Sequence, residues 1–126
     1  MRLRTLTAVG LAAVLCYAGA VCAQQAEILV QVSLAAGLRY HEAKAVWDQM
    51  RAGDSLTLAR EPDNPYDANA VRVDWRGHKL GYVPRAENAA LARQLDRGNP
   101  LSARITKLTQ YRNHRKKLEF EVTLRL

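Results

Sequence analysis

Residues 60–71 read Arg60-Glu61-Pro62-Asp63-Asn64-Pro65-Tyr66-Asp67-Ala68-Asn69-Ala70-Val71. Two prolines fix φ here, and Asp and Asn side chains hydrogen-bond the backbone two residues on, so the stretch reads as a rigid loop. Turn chemistry accounts for Asp63, Asn64 and Asn69. It does not account for Tyr66, an aromatic ring at the tip of a stiff polar turn. Leu56 and Leu58 before the loop, and Val71, Val73 and Trp75 after it, repeat with the period of two that marks half-buried strands. The loop therefore joins two strands and presents Tyr66 beyond their ends.

Working outward, Gly77 turns the second of these strands into another, Lys79 to Val83. Pro84 then introduces a helix with Leu91 and Leu95 stacked at i and i+4 and Gly98 after its last turn. Upstream, Ala43, Val46, Trp47 and Met50 fall on one face of a short helix that Gly53 ends. Before it, Ile28, Val30, Val32 and Leu34 alternate with Leu29, Gln31 and Ser33, which predicts a strand with the first set facing the core; Gly37 closes it. The last two strands are Leu101 to Leu108 and Leu118 to Leu126. In the latter, Leu118, Phe120, Val122, Leu124 and Leu126 are expected on the inner face. Six strands and two short helices define a mainly β fold of the α+β kind. A flat sheet of this size leaves an apolar face in water, so the expected form is a small curled β-barrel partly covered by the helices.

The chain has 126 residues, is 48% hydrophobic and 25% charged, and carries a formal net charge of +7. Those values match one ordinary domain and exclude a multidomain enzyme, a polytopic membrane protein and a disordered tail. The charge is uneven. Residues 24–100 hold 10 basic and 10 acidic side chains, whereas residues 101–126 hold 7 basic and 2 acidic. The excess lies in the last quarter, around Arg112, Arg115, Lys116 and Lys117. It points to an anionic partner, although such runs also serve as solvated hairpin tips.

Residues 1–23 read as a secretory signal peptide. Arg2 and Arg4 form its positive start, Leu6 to Val21 its apolar stretch, and Val21-Cys22-Ala23 its cleavage site. Thr7, Gly10 and Gly19 interrupt the apolar run and no basic cluster follows it, which disfavours a membrane anchor. Val21 is bulkier than the residue that usually precedes a lipid-modified cysteine. The expected product is an exported domain of residues 24–126, periplasmic where the host has two membranes and secreted otherwise. Cys16 and Cys22 both fall in the peptide, so the exported domain is expected to fold without disulfides and without thiol chemistry.

Taken together, Gly37-Leu38-Arg39-Tyr40, the segment from Gly53 through Val73, and Gly77 to Arg85 resemble the HIRAN domain. The motif order is GxRY, then GDxLxLxREPDNPYDxNAVxV, then GxKLGYVPR. The resemblance implies a modified OB-like β-barrel of the kind found fused to helicase-type ATPases and nucleases, or standing alone in bacteria. It also implies a module that holds the unpaired 3′ end of single-stranded DNA. Carried over by position, Arg39 and Tyr40 would contact the terminal nucleotides. Asn64, Tyr66 and Asp67 would cup the last base and its hydroxyl, and Tyr82 and Arg85 would contact the strand. Tyr111 matches a further aromatic between the last two strands, within a loop, Thr109 to Lys117, that departs from the family pattern.

The residue types agree with that chemistry. Tyrosine rings offer stacking faces, worth about 1–3 kcal/mol per base, and arginines offer planar forks to phosphate oxygens. A carboxylate beside DNA is repelled by phosphates, so Asp67 belongs in such a pocket as the acceptor of a sugar hydroxyl. The same residues also suit structural roles: Tyr40 and Tyr82 as barrel caps, Asp67 as a turn cap through Asn69, and Arg39 and Arg85 as surface partners of Glu61 or Glu87.

Metal and catalytic readings fare worse. His41-Glu42 starts like a zinc-protease helix, but Ala45 stands where its second histidine would be. Asp63, Asp67 and Asn69 lack the glycine and terminal glutamate of a calcium loop. The expected protein is a monomeric binding module with no cofactor, no metal and no catalysis. Its expected partner is single-stranded DNA or another nucleic acid. The alternative is an envelope interaction domain that takes a peptide terminus, a glycan or another anionic polymer or surface.

Overall fold

The computed structural model describes residues 26–126; the expected signal peptide lies outside these residues. Strands β1 (Glu27–Leu34), β2 (Ser55–Arg60), β3 (Val71–Trp75), β4 (His78–Tyr82), β5 (Leu101–Gln110) and β6 (Lys116–Arg125) form one sheet in the order β1-β6-β5-β2-β3-β4. All its pairings are antiparallel. Helix α1 (Ala43–Val46) continues into a 3₁₀ turn over Trp47–Gln49, and α2 (Ala89–Asp96) follows a 3₁₀ turn over Arg85–Glu87. The fold is thus the expected mainly β architecture with two short helices.

The sheet curls until its ends almost meet. No ladder joins β1 to β4, but Ala36, two residues beyond β1, bridges to Tyr82 at the end of β4. The Ala36 amide donates to the Tyr82 carbonyl at 2.8 Å and the Tyr82 amide donates back at 2.9 Å. This one bridge gives the molecule its barrel-like form and seats Tyr82 beside the start of the Gly37 turn.

Val71, Val73 and Trp75 of β3, Leu80 of β4, and Leu118, Phe120 and Val122 of β6 face the interior with Ile105 of β5. Ala43, Val46, Trp47 and Met50 cover one side, although the expected helix to Gly53 gives way to a 3₁₀ turn after Val46 and Met50 is extended, and Leu91 and Ala92 of α2 cover another. Gly77, at φ 83°, makes the tight turn between β3 and β4 that a side chain would strain. The Trp75 indole N–H donates to Asp54 at 3.0 Å, so the largest core ring carries its polar atom to a partner at the barrel wall.

Two expectations about faces are corrected. In β1 a register shift between Leu29 and Gln31 inserts an extra residue. Ile28 stands opposite Leu124, but beyond the bulge Val32 and Leu34 stand opposite Glu121 and Glu119, on the outer face. Ile28, Val30, Val32 and Leu34 are all exposed, while Ser33 is buried opposite Phe120. The bulge exchanges the faces of everything after it. At the other end Leu126 lies past β6 and is exposed, so the inner stripe of that strand runs only as far as Leu124.

Candidate functional site

The loop between β2 and β3 is stiff because its polar side chains close it from within. At its base the Glu61 amide donates to the Ala70 carbonyl at 3.0 Å, and the Arg60 guanidinium reaches the same carbonyl at 2.9 Å. Farther out, Asn64 Oδ1 accepts from the amides of Tyr66 and Asp67 at 2.9 and 3.2 Å. Asp67 Oδ1 accepts from the Asn69 amide at 2.9 Å. These successive side-chain turns leave the Tyr66 ring with nothing to pack on: it is 83% exposed.

The loop forms one wall of a cleft of about 950 Å³. Tyr40 and His41, from the turn after β1, and Lys79, Tyr82 and Arg85, from β4 and the segment after it, line the rest. Tyr82 is the floor. Its ring meets His41 edge-on at 5.7 Å between centroids, and the Lys79 ammonium lies 4.8 Å from its centre. Its hydroxyl donates to Glu61 Oε1 at 2.8 Å. Glu61 also accepts from Asn64 Nδ2 at 3.0 Å and from Arg72 at 3.2 Å, tying loop, floor and β3 together.

The electrostatics follow from these bonds. Burial alone would raise the Glu61 pKa, but hydrogen bonds from Tyr82, Asn64 and Arg72 outweigh it and hold the carboxyl below its ordinary value. The Asp67 carboxyl is also lowered, first by the Asn69 amide and then, against a burial penalty, by the Asn88 side chain and the nearby Arg85 and Arg60 charges. Burial, and then the Lys79 charge, lower the His41 pKa, which keeps its ring neutral near pH 7. Lys79 and Arg85 have no acidic side chain within ion-pair distance among the described residues. The cleft therefore joins ionised acceptors on its loop wall to cations that lack an ion-pair partner beside its floor.

Of the residues singled out in the sequence, Tyr40, Asn64, Tyr66, Asp67, Tyr82 and Arg85 line this one cleft. Arg39 and Tyr111 do not. Arg39 lines the adjoining groove, where its guanidinium lies 4.7 Å from the Tyr40 ring centre and donates to the Tyr40 hydroxyl at 2.6 Å. Tyr111 lines a further groove beside Leu34 and Ala35. Asn64 faces its own loop, with both its oxygen and its nitrogen committed there. The expected surface pairing of Arg39 or Arg85 with Glu61 is replaced by Arg72, which holds both Glu61 and Asp74.

Four contributors are not assigned a site role by the sequence; Lys79, inside the GxKLGYVPR motif, is one of them. Glu61 lies inside the quoted loop, but its partners Tyr82 and Arg72 are remote in sequence. In the sequence His41-Glu42 points only to an incomplete metal site, whereas the His41 ring packs on Tyr82. Asn88 occupies the residue before α2, where asparagine normally caps a helix, yet its side chain makes no capping bond. It is buried and donates instead to Asp67 Oδ2 at 2.6 Å. Both Asp67 oxygens thus hold the loop, which realises the turn-cap role through Asn69. A carboxylate offers about four acceptor positions, so capacity remains toward the cleft.

The family model described as HIRAN domain matches residues 28–126. A Fanconi-associated nuclease 1 homolog from Oryza sativa subsp. japonica is 38% identical over 65 residues. A helicase-like transcription factor from Oryctolagus cuniculus is 41% identical over 61 residues. Each alignment takes 48% of this chain but 6% of the relative, so the chain matches only a small part of the length of these proteins. Among solved structures, a protein from Lactobacillus plantarum superposes with a TM-score of 0.65 at 31% identity, over 78% of this chain and 97% of that one. The HIRAN domain of human HLTF superposes with a TM-score of 0.62 at 22% identity, over 78% of each chain.

Proposed function

Because the chain belongs to the HIRAN domain family, we propose that it is a non-catalytic module that holds the 3′-hydroxyl end of single-stranded DNA in the cleft beneath Tyr66. One observation carries the reading. Two tyrosine rings, Tyr66 at 83% and Tyr40 at 69% exposure, line a single cleft that also holds Lys79 and Arg85. Exposed rings on stiff supports beside free cations suit a base that stacks and a phosphate that is paired. The terminal hydroxyl is assigned to Asp67, whose carboxylate stays ionised at neutral pH and keeps acceptor positions free. The relatives named for a nuclease and a helicase-like transcription factor support a nucleic-acid partner.

The site of action is proposed to be outside the cytoplasm, on the order of charged, apolar and small residues in positions 1–23. Anisotropy titration of labelled single strands, blunt duplexes, peptides and envelope oligosaccharides tests the reading. Single strands with a free 3′ end should bind most tightly, and Tyr66→Ala should weaken them. Preference for an oligosaccharide or a peptide terminus would transfer the cleft to an envelope ligand.

A further inference from the structure

Beyond Tyr40 the surface changes character. The cleft itself is mixed in charge, with Glu61, Asp63 and Asp67 set against Arg60, Lys79 and Arg85. Tyr40 is shared with a second groove, lined also by Arg39 and Lys44. That groove shares Asn113, Arg115 and Lys116 with a third, where Arg112, Lys117 and Tyr111 stand. Among the described residues, no aspartate or glutamate lines either of these two grooves.

Several acids of the described residues are paired with other cations, away from these grooves. Arg60 is paired with Asp96, Arg72 with Asp74 and Glu61, and Arg104 with Glu121. None of the cations of the two grooves has such a partner among the described residues. The hairpin tip that bears most of them is shaped rather than loose. The Tyr111 amide donates to the Arg115 carbonyl at 2.8 Å, and the His114 amide donates to the Tyr111 carbonyl at 2.9 Å. Asn113 caps the Arg115 amide at 3.1 Å. Lys116 is braced over the Trp47 ring, 5.8 Å from its centre.

We infer that these two grooves form one polyphosphate track that continues from the cleft, so that a strand whose 3′ end sits under Tyr66 passes Tyr40 and runs on along Arg39, Lys44 and the β5–β6 hairpin. The division of charge supports this. A terminal nucleoside needs hydroxyl acceptors and stacking faces, whereas the following phosphodiesters need uncompensated cations. The inference rests on the end-binding reading and adds to it a footprint longer than the terminal nucleotides, set by the hairpin.

The test uses oligothymidylates from about two to about twelve nucleotides, titrated against the wild type and against Arg112→Gln, Arg115→Gln, Lys117→Gln combined. Lys116 is left in place because it packs on Trp47. Wild-type affinity should climb with length. The triple variant should bind the shortest oligomer as the wild type does, which also shows that its cleft is folded, and should lose roughly tenfold or more on the longest. The slope of log affinity against log salt should flatten by about 0.7 for each phosphate contact removed. An equal length dependence and salt slope in both proteins would overturn the track while leaving end binding intact. Failure of the wild type to bind any oligomer would overturn the end-binding reading and the track with it. Charge-dependent binding of the hairpin to anionic phosphatidylglycerol vesicles, with no length effect on oligonucleotides, would assign this face to a lipid surface instead.

Discussion

The carbonyl of Ala36 fills the space that a side chain on Gly81 would occupy: a Cβ at residue 81 would overlap the Ala36 oxygen. That carbonyl accepts from the Tyr82 amide, so the glycine is what lets the segment after β1 approach β4 and give the open sheet its barrel-like curl. The obstacle is backbone, which cannot swing aside as a side chain tip can. Gly81→Ala should therefore destabilise the protein by about 1–3 kcal/mol, as overpacking does in well-filled sites. It should also weaken oligonucleotide binding, because Ala36 and Tyr82 both line the cleft. Urea unfolding measures the first effect and titration the second. A variant with unchanged stability would show that the bridge opens without cost.

The Glu61 carboxyl has a folded pKa below its ordinary value of 4.5, so its bonds to Tyr82, Asn64 and Arg72 stabilise the fold only while it is ionised. Because the folded value is depressed, that contribution is complete above about pH 5 and is lost as the pH falls through the folded value. Asp67 acts in the same direction from its ordinary value of 3.8. Tyr82→Phe removes one bond to the charged form and should cost about 0.5–1.5 kcal/mol at pH 7. The gap between variant and wild type should narrow between pH 7 and an acid pH below the folded value, where Glu61 is protonated in both states. Urea melts at both pH values decide it, and a gap independent of pH would remove Glu61 as the partner that matters.

Processing is the expectation with the simplest readout. Expressed in a bacterial host, the chain should be cut after Ala23 and recovered outside the cytoplasm with Gln24 at its start, as the order of charged, apolar and small residues directs. Mass measurement of the recovered protein reads the cut directly. An intact cytoplasmic chain would return this module to the cell interior.

Local features were legible from composition and spacing, while the convergence of Tyr40, Tyr66, Tyr82 and Arg85 on one cleft was legible only through the family resemblance. The turns at Asn64 and Asp67 close within three residues, so the composition of residues 60–71 was enough to read a stiff loop with Tyr66 at its tip. The burial of Ala43, Val46, Trp47 and Met50 and the inner stripe of β6 as far as Val122 followed from spacing alone. β1 was misread because a bulge leaves no mark on hydrophobic alternation. The register is set by β6, and Gln31, turned inward beyond the bulge, finds Ser33 and the Glu87 carbonyl as partners. Asn88 and Glu61 depend on residues brought in by other strands and turns. An asparagine before a helix reads as a cap, and only the packed barrel turns it toward Asp67.

Asp67 offers the sharpest discrimination, and the structure defines the control it needs. If its carboxylate accepts a hydrogen bond from a terminal 3′-hydroxyl, a 3′-phosphate removes that donor and sets negative charge against it. Binding should then fall by about ten- to a hundredfold. Asp67→Asn should weaken the hydroxyl end and partly relieve the penalty on the phosphate end. It also disturbs the bond from Asn88, so a purely structural loss has to be separated from loss of the acceptor. Asn88→Ala does so, since it breaks the same support and leaves the carboxylate in place. It should lower affinity for both ends and preserve the preference for hydroxyl. Tyr66→Ala should weaken both ends alike by removing a stacking face worth about 1–3 kcal/mol. Titration of oligonucleotides that differ only at the 3′ terminus reads all three variants. If Asn88→Ala and Asp67→Asn behave identically, and neither alters a preference for hydroxyl over phosphate, Asp67 is a turn cap and the hydroxyl lies against another group.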